Sequence, residues 1–374
     1  MKSFIHYQPV KSIFGAGSLN SLPDYLKETR KIVIVTGKKS AKNTGLINRL
    51  NRILNSSSVE EVKFIPVGSN PTISEVEFIA ESARKIRADL IIGIGGGSAM
   101  DAAKAGAIVG AGCSDFKSLI GKKIFNPPPL PSILIPTTAG TGSEVNQYAI
   151  ITDEGLNDKL NLNGANSYPM AAILDPELSV SMPEEITIDT GLDAFCHAVE
   201  GYIARRSVPI SDTLAAPVFE LVNEALPVAV REGNNLEARG KMLYAASLAG
   251  MVISHTGTTM VHAMGYPLTL RYGVSHGRAN AAIIAHGLRF NYEHSPARIS
   301  RIYEIFGGSK SANGNEAILN FIHSLGVKTR LRDYSVERDY LAEYAKYVIG
   351  RSATQNSPAE VNYDNLKQFL EDIY

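Results

Sequence analysis

Asp89-Leu-Ile-Ile-Gly-Ile-Gly-Gly-Gly-Ser-Ala-Met-Asp-Ala-Ala-Lys-Ala-Gly-Ala-Ile-Val109 decides the fold of this chain. Its first six residues form an apolar run too short for a helix and suited to a buried parallel strand. Gly95-Gly-Gly-Ser98 breaks the run, and Ala99 to Val109 reads as a strong helix. Glycines at a strand-to-helix turn let a phosphate approach the backbone, and the helix start supplies free N–H groups and positive dipole. The strict dinucleotide fingerprint is not met, because the sixth position counted from Gly93 is Ser98. The strand–turn–helix context nevertheless favours pyrophosphate binding over a plain tight turn.

The flanking sequence repeats the theme. Lys31-Ile-Val-Ile-Val-Thr36 is a β-branched run, Val62 to Val67 reads as the next strand, and Asn70-Pro-Thr leads into an amphipathic helix through Arg87. Pro131 to Pro136 is a short strand that delivers Thr137-Thr-Ala-Gly-Thr-Gly-Ser-Glu144, a loop of small and hydroxyl residues able to lie under a nucleotide. Ala171-Ala-Ile-Leu-Asp-Pro176 closes the series, with Pro176 as its stop. The strand-like run at Lys11 ends in a Gly-x-Gly best read as a structural turn. The loop after a buried strand is where open α/β sheets bind ligands. After Thr36 that loop is Gly37-Lys38-Lys39-Ser40, with no acid to hold ribose hydroxyls, which favours the 2′-phosphate of NADP over NAD. From Ser181 strand-like runs nearly vanish and helical periodicity dominates. The expected architecture is therefore an α/β Rossmann-like nucleotide domain over 1–180 and an all-α domain over 181–374.

The second domain carries a different constellation. Asp193 and His197 are four apart in a helix-forming stretch, so a carboxylate and an imidazole project from one face. His262 lies in a second apolar run, and His276 follows in Gly273-Val-Ser-His-Gly277. One carboxylate and three imidazoles make a plausible shell for Fe(II), and Zn(II) suits the same donors. Spacing alone is weak, since an Asp/His pair at i, i+4 is more often a surface or capping pair.

Composition excludes other classes. Lys and Arg total 37 against 37 Asp and Glu, so no basic patch points to nucleic acid. No apolar run approaches the ~20 residues that span a bilayer, and the N-terminus lacks the apolar core of a signal peptide. Two cysteines, Cys113 and Cys196, suggest a reducing compartment, hence a cytoplasmic protein. Cys196 is read as packing.

Taken together, Gly95 to Lys104, Pro136 to Glu144, Gly191-Leu-Asp-Ala-Phe-Cys-His-Ala-Val-Glu200 and the His262…His276-Gly277 pair resemble the iron-containing (group III) alcohol dehydrogenase family over essentially the whole chain. The likeness implies a dehydroquinate synthase-like fold with the active site in the cleft between its domains. It implies metal binding by Asp193, His197, His262 and His276. The candidate cofactor set is Gly37, Lys38, Lys39, Ser40, Asn70, Gly95, Gly96, Gly97, Ser98, Asp101, Thr137, Thr138, Thr141, Lys159 and Leu178.

Two departures stand out. Many members carry a relay histidine where this chain has Tyr266, and a proline where it has Ser275. Tyr266 and its surroundings resemble the butanol and 1,3-propanediol dehydrogenase branch, which tends to use NADP. Tyr266 and His255 are possible pocket residues, while His6, His286, His294 and His323 are left as structural or surface groups. The expected reaction is hydride transfer between NAD(P)(H) and a small primary alcohol, diol or aldehyde, with a Lewis-acid metal. The expected assembly is a homo-oligomer, a dimer or larger. The rivals are a dehydroquinate synthase-type lyase, a polyol (glycerol-like) dehydrogenase, and a nucleotide-binding protein with a vestigial site.

Overall fold

The computed structural model describes residues 3–38, 46–112 and 115–374; Lys39, Ser40 and Cys113 lie outside the described residues. The chain forms two compact units. One holds Tyr7–Pro183 with Gly233–Ser247, and the other holds Glu184–Glu232 and Leu248–Tyr374 with the segment ending at His6.

The first unit is built on a parallel sheet of β1 (Lys11–Phe14), β2 (Lys31–Gly37), β3 (Glu61–Val67), β4 (Leu90–Gly95), β5 (Ser132–Pro136) and β8 (Ala171–Leu174). Their spatial order is β1-β8-β5-β4-β2-β3. Strand β2 shows why the sheet is buried on both faces. Ile32 and Ile34 join an apolar cluster with Ile92, Ile133 and Ile173, whereas Val33 and Val35 join a second cluster with Ile91, Leu134 and Met100. Successive residues point to opposite faces, so a continuous β-branched run fills two cores at once. Helices α1 (Leu46–Asn55), α2 (Ile73–Ile86) and α3 (Gly97–Ala111) complete these layers. The chain leaves β2 for β3 on one side and then enters β4 on the other. This reversal is a topological switch point, where open α/β sheets hold ligands.

Helix α1 and one hairpin of this unit escape the sequence reading. Strands β6 (Ala149–Asp153) and β7 (Asp158–Leu162) form a separate antiparallel hairpin. It meets the segment before α2 through the Thr152 N–H, which donates to the Pro71 carbonyl at 2.8 Å.

The second unit contains α4 (Glu184–Ile203), α5 (Pro209–Arg231), the end of α6 (Leu236–Thr256), α7 (Met260–Tyr272), α8 (His276–Asn291), α9 (Pro296–Ile305), α10 (Asn315–Ser324), α11 (Leu341–Ile349) and α12 (Tyr363–Asp372). No strand occurs among its described residues. Helix α4 is its centre, with every residue from Gly191 to Ile203 buried. Helix α5, at 23 residues, is long and apolar enough to cross a bilayer by length and composition only. Glu220 and Glu224 interrupt it, while Val218, Phe219, Val222 and Leu226 are fully buried in the unit. That pattern also fits the core helix of a helical domain.

Candidate metal and nucleotide sites

In the first unit, Gly37 and Gly95 end the neighbouring strands β2 and β4, and a Cβ on Gly95 would lie 3.4 Å from the Gly37 nitrogen. Gly96 caps α3 and Gly97 opens it. Gly97 and Ser98 therefore sit in the first turn, where N–H groups have no intrahelical carbonyl to reach. The threonine loop folds onto this turn. Thr137 N–H donates to the Gly95 carbonyl at 2.9 Å, and a methyl on Gly96 would stand 3.4 Å from the Thr138 side chain. At Gly97 it would stand 2.6 Å from Thr141 Cγ2, a distance only a glycine tolerates.

A chain of hydrogen bonds joins other expected residues to the turn. Asn70 N–H donates to Ser98 Oγ at 3.3 Å. Lys159 on β7 donates to Asn70 Oδ1 at 2.7 Å and to Thr152 Oγ1 at 3.0 Å. Burial lowers the Lys159 ammonium to about 8, against the opposing influence of Asp101. Exposed Lys38 pairs with Glu75 Oε1 at 3.3 Å. That carboxylate also caps α2 by accepting from Thr72 N–H at 3.1 Å.

Asp101 is engaged on both oxygens, by the Ser143 hydroxyl and by Ile150 N–H at 2.9 Å. Leu178 is buried in the apolar cluster of Leu19, Ile32 and Ile173. Lys104 carries no role in the sequence reading, yet it is fully buried and fastens the loop after Thr141. It donates to the carbonyls of Ser143 at 2.8 Å and Asn146 at 3.3 Å, and to that of Tyr148. Burial pulls its ammonium below the ordinary lysine value, while Asp101 and Glu144 oppose the shift.

In the second unit, Asp193, His262 and His276 each present one ligand atom, and these atoms lie within 4.8 Å of one another. His197 joins them. Its Nδ1 is 4.0 Å from Asp193 Oδ2, and its ring stacks on that of His262 with centroids 4.6 Å apart. Asp193, His197 and His262 are buried. Burial raises the Asp193 carboxyl, but His197, His276 and His262 outweigh it and hold the group below its ordinary value.

The helices explain the convergence. Asp193 and His197 share one face of α4, His262 lies in the first turn of α7, and His276 is the first residue of α8. Gly277 lets α8 approach α4, since a Cβ there would fall 1.9 Å from the Asp189 carbonyl and 2.9 Å from Asp193 Cβ. Asp189 then ties the two helices, accepting from the Ser275 hydroxyl and from Arg278 Nε at 2.8 Å. Ser275, a departure from the family pattern, thus has a local role in holding the start of α8.

Whether these donors suit a metal can be tested on Asn280, which is fully buried. Its amide nitrogen lies 3.1 Å from Asp193 Oδ1, 3.1 Å from His262 Nε2 and 3.2 Å from His276 Nε2. One carboxylate oxygen and two ring nitrogens converge on one electropositive group, as they would on a cation. The set of one oxygen and imidazole nitrogens fits a borderline divalent metal.

Behind His262 stands Glu200, fully buried and about two turns after Asp193 on the same face of α4. Its Oε1 meets His262 Nδ1. Its Oε2 accepts from Thr259 N–H at 2.7 Å, Thr259 Oγ1 at 2.6 Å and His262 N–H at 3.3 Å. Burial pushes the Glu200 carboxyl up, but His262 and Thr259 bring the net shift below its ordinary value. Sequence reading assigned no role to Glu200 or Asn280. The available signal was spacing, because Glu200 is seven residues after Asp193 and Asn280 four after His276.

Tyr266 stacks on His276 with ring centroids 5.7 Å apart. His255 Nε2 lies 2.9 Å from His6 Nδ1. Burial and the neighbouring His6 lower the His255 imidazole below its ordinary value. His286 contacts the Thr329 carbonyl at 3.1 Å and is lowered by burial to about 4.

Comparison with known proteins agrees with both halves. Residues 9–176 match the family described as iron-containing alcohol dehydrogenase, and 187–374 match the Fe-containing alcohol dehydrogenase family, C-terminal. The chain is 32% identical to the NADPH-dependent butanol dehydrogenase of Clostridium saccharobutylicum, over 96% of this chain and 95% of that protein. It is 30% identical to the NAD-dependent methanol dehydrogenase of Bacillus methanolicus, over 97% and 98%. An iron-containing alcohol dehydrogenase from Thermotoga maritima superposes with a TM-score of 0.89 at 33% identity, covering 99% of each chain. With its parallel-sheet unit and its helical donor cluster matched end to end, the chain is an oxidoreductase of dehydroquinate synthase-like fold that belongs to the iron-containing alcohol dehydrogenase family.

Proposed function

We propose that this enzyme interconverts small primary alcohols or diols and their aldehydes, using NADP(H) in preference to NAD(H) and Fe(II) held by Asp193, His197, His262 and His276. The observation that carries the reading is the convergence of one carboxylate and imidazole nitrogens in a buried helical core. When bound, the metal supplies Lewis acidity to the reacting oxygen, and the nicotinamide accepts or supplies hydride.

The chain's own residues prepare the rest. In the first unit, Gly95 to Ser98 offer an uncluttered backbone and first-turn N–H groups to a pyrophosphate. Thr137, Thr138 and Thr141 pack against that turn, and Lys159 adds a cation through Asn70. The lack of an acid at Gly37 and the presence of Lys38 support the preference for a 2′-phosphate. Tyr266 stands on His276 in place of the relay histidine of other members. An alcohol oxygen whose pKa is lowered by a metal needs no dedicated base, so the substitution is compatible with turnover. Burial of Asp193, His197 and His262 in the helical unit supports a sheltered metal site. The free edge of β1, with Phe14 exposed, supports self-association into a dimer or larger assembly.

The test is butanal-dependent oxidation of NADPH, with NADH in parallel, by anaerobically purified, Fe(II)-loaded protein. Faster turnover with NADPH is expected. A preference for NADH would overturn the 2′-phosphate reading, and no turnover with any small aldehyde or diol would overturn the substrate class.

A further inference from the structure

Glu200 lies outside the set of four proposed metal-binding residues, yet among the described residues no other buried carboxylate is bound so fully to one of them. Its two oxygens accept from four groups: the His262 ring, the His262 N–H, the Thr259 N–H and the Thr259 hydroxyl. The backbone bonds close the start of α7, where the first N–H groups lack intrahelical partners. The ring bond has a different consequence. An ionised carboxylate can only accept, so the nitrogen facing it, Nδ1, must carry a hydrogen. In the neutral ring Nε2 is then the bare nitrogen, and Nε2 is the atom 3.8 Å from Asp193 Oδ1. The Asn280 amide nitrogen meets the same Nε2 at 3.1 Å. Glu200 at Nδ1 and Asn280 at Nε2 therefore hold the ring in one orientation, and the Glu200 carboxylate selects the tautomer.

We propose that Glu200 is a positioning residue that fixes His262 with hydrogen on Nδ1 and the Nε2 lone pair aimed at the Asp193–His276 cluster, and thereby sets metal affinity. This rests on the metal assignment above. Carboxylates that orient metal-binding histidines are commonly worth about 10–100-fold in affinity. Glu200→Gln keeps the shape and an acceptor for Thr259 but removes the demand for hydrogen on Nδ1. Thr259→Val removes one bond to Glu200 and leaves the ring contact in place.

Two measurements decide the matter. The first is Zn(II) and Co(II) affinity of metal-depleted protein, with circular dichroism to confirm folding. The account expects Glu200→Gln to lose about 10–100-fold in affinity and to shift the Co(II) visible spectrum, with Thr259→Val within about threefold of the unsubstituted chain. Equal losses in both variants would make Glu200 a mere cap of α7 and overturn the proposal. So would unchanged affinity in folded Glu200→Gln. The second measurement needs no variant: ¹⁵N NMR of the histidine rings in the metal-free chain, at a pH where His262 is neutral. Hydrogen on His262 Nδ1 is expected, and hydrogen on Nε2 would overturn the proposal. An unsubstituted chain with no metal affinity would overturn the metal assignment and the affinity claim together, whereas affinity that survives Glu200→Gln overturns this proposal alone.

Discussion

The two candidate sites are built on opposite plans. The nucleotide turn of the first unit is made of absence: Gly95, Gly96 and Gly97 withhold side chains so that backbone and the Thr138 and Thr141 side chains can close on one another. The donor cluster of the second unit is made of presence. Asp193, His197, His262 and His276 are brought in from three helices; Asp189 ties two of those helices together, Glu200 stands behind His262, and Asn280 faces three of the donors. A site of backbone groups tolerates change in its surroundings but not an added methyl. A site of side chains depends on each donor and on the layer that orients it.

The sharpest way to break this contrast is to remove a donor. His197→Ala should lose bound metal and on the order of a thousandfold in turnover, several kcal/mol of Lewis-acid stabilisation at ~1.4 kcal/mol per decade. NADPH binding, measured by fluorescence, should stay near that of the unsubstituted chain. Metal-depleted His197→Ala protein that keeps full turnover would sink the assignment.

Gly277→Ala should come next. A methyl there meets the Asp189 carbonyl at 1.9 Å, so α8 must move away from α4 and carry His276 with it. The cost is expected at the upper end of the ~1–3 kcal/mol typical of overpacking, seen as a lower denaturation midpoint, together with weaker metal binding.

Gly97→Ala is the matching change in the other unit. Its methyl would stand 2.6 Å from Thr141 Cγ2. It should raise the KM for NADPH roughly tenfold, a little over 1 kcal/mol, and leave metal content intact. Loss of metal in Gly97→Ala, or of nucleotide binding in Gly277→Ala, would erase the separation between the two plans.

The smallest expected effect is a pH dependence. Burial lowers Lys159 from the ordinary lysine range to about 8. The neutral form is favoured in the fold, so the stability this group contributes is present above its unfolded value and lost as pH falls through about 8. A phosphate that reads the ammonium has the opposite interest. NADPH affinity should therefore weaken as pH rises past about 8, and Lys159→Met should flatten that profile while binding more weakly throughout.

Much of the first unit is legible in the sequence because parallel strands buried on both faces are written as unbroken β-branched runs. Lys31 to Thr36 and Asp89 to Ile94 carry that signal strongly. The β6–β7 hairpin is not legible in the same way. Its residues mix Ile150 and Ile151 with Thr152, Asp153, Asp158 and Lys159, and they pair outside the main sheet.

At the candidate metal site, helical spacing paired Asp193 with His197, and the family likeness singled out the set of four. The supporting layer was harder to read because it is long-range. Glu200 meets His262 from 62 residues away, and Asn280 meets Asp193 from 87 away. Each nevertheless lies on the same helix face as a donor, so the i+4 and i+7 positions of such a helix are where the next residues should be sought.

The central claim is that the four donors hold a metal on which hydride transfer depends. The most direct test titrates Fe(II) into metal-depleted protein under anaerobic conditions while aldehyde-dependent NADPH oxidation is followed. The account predicts turnover that rises in proportion to bound Fe(II) and saturates at one equivalent per chain, with none in the metal-depleted sample. Full turnover before any metal is added, or saturation without bound metal in the unsubstituted chain, would contradict it.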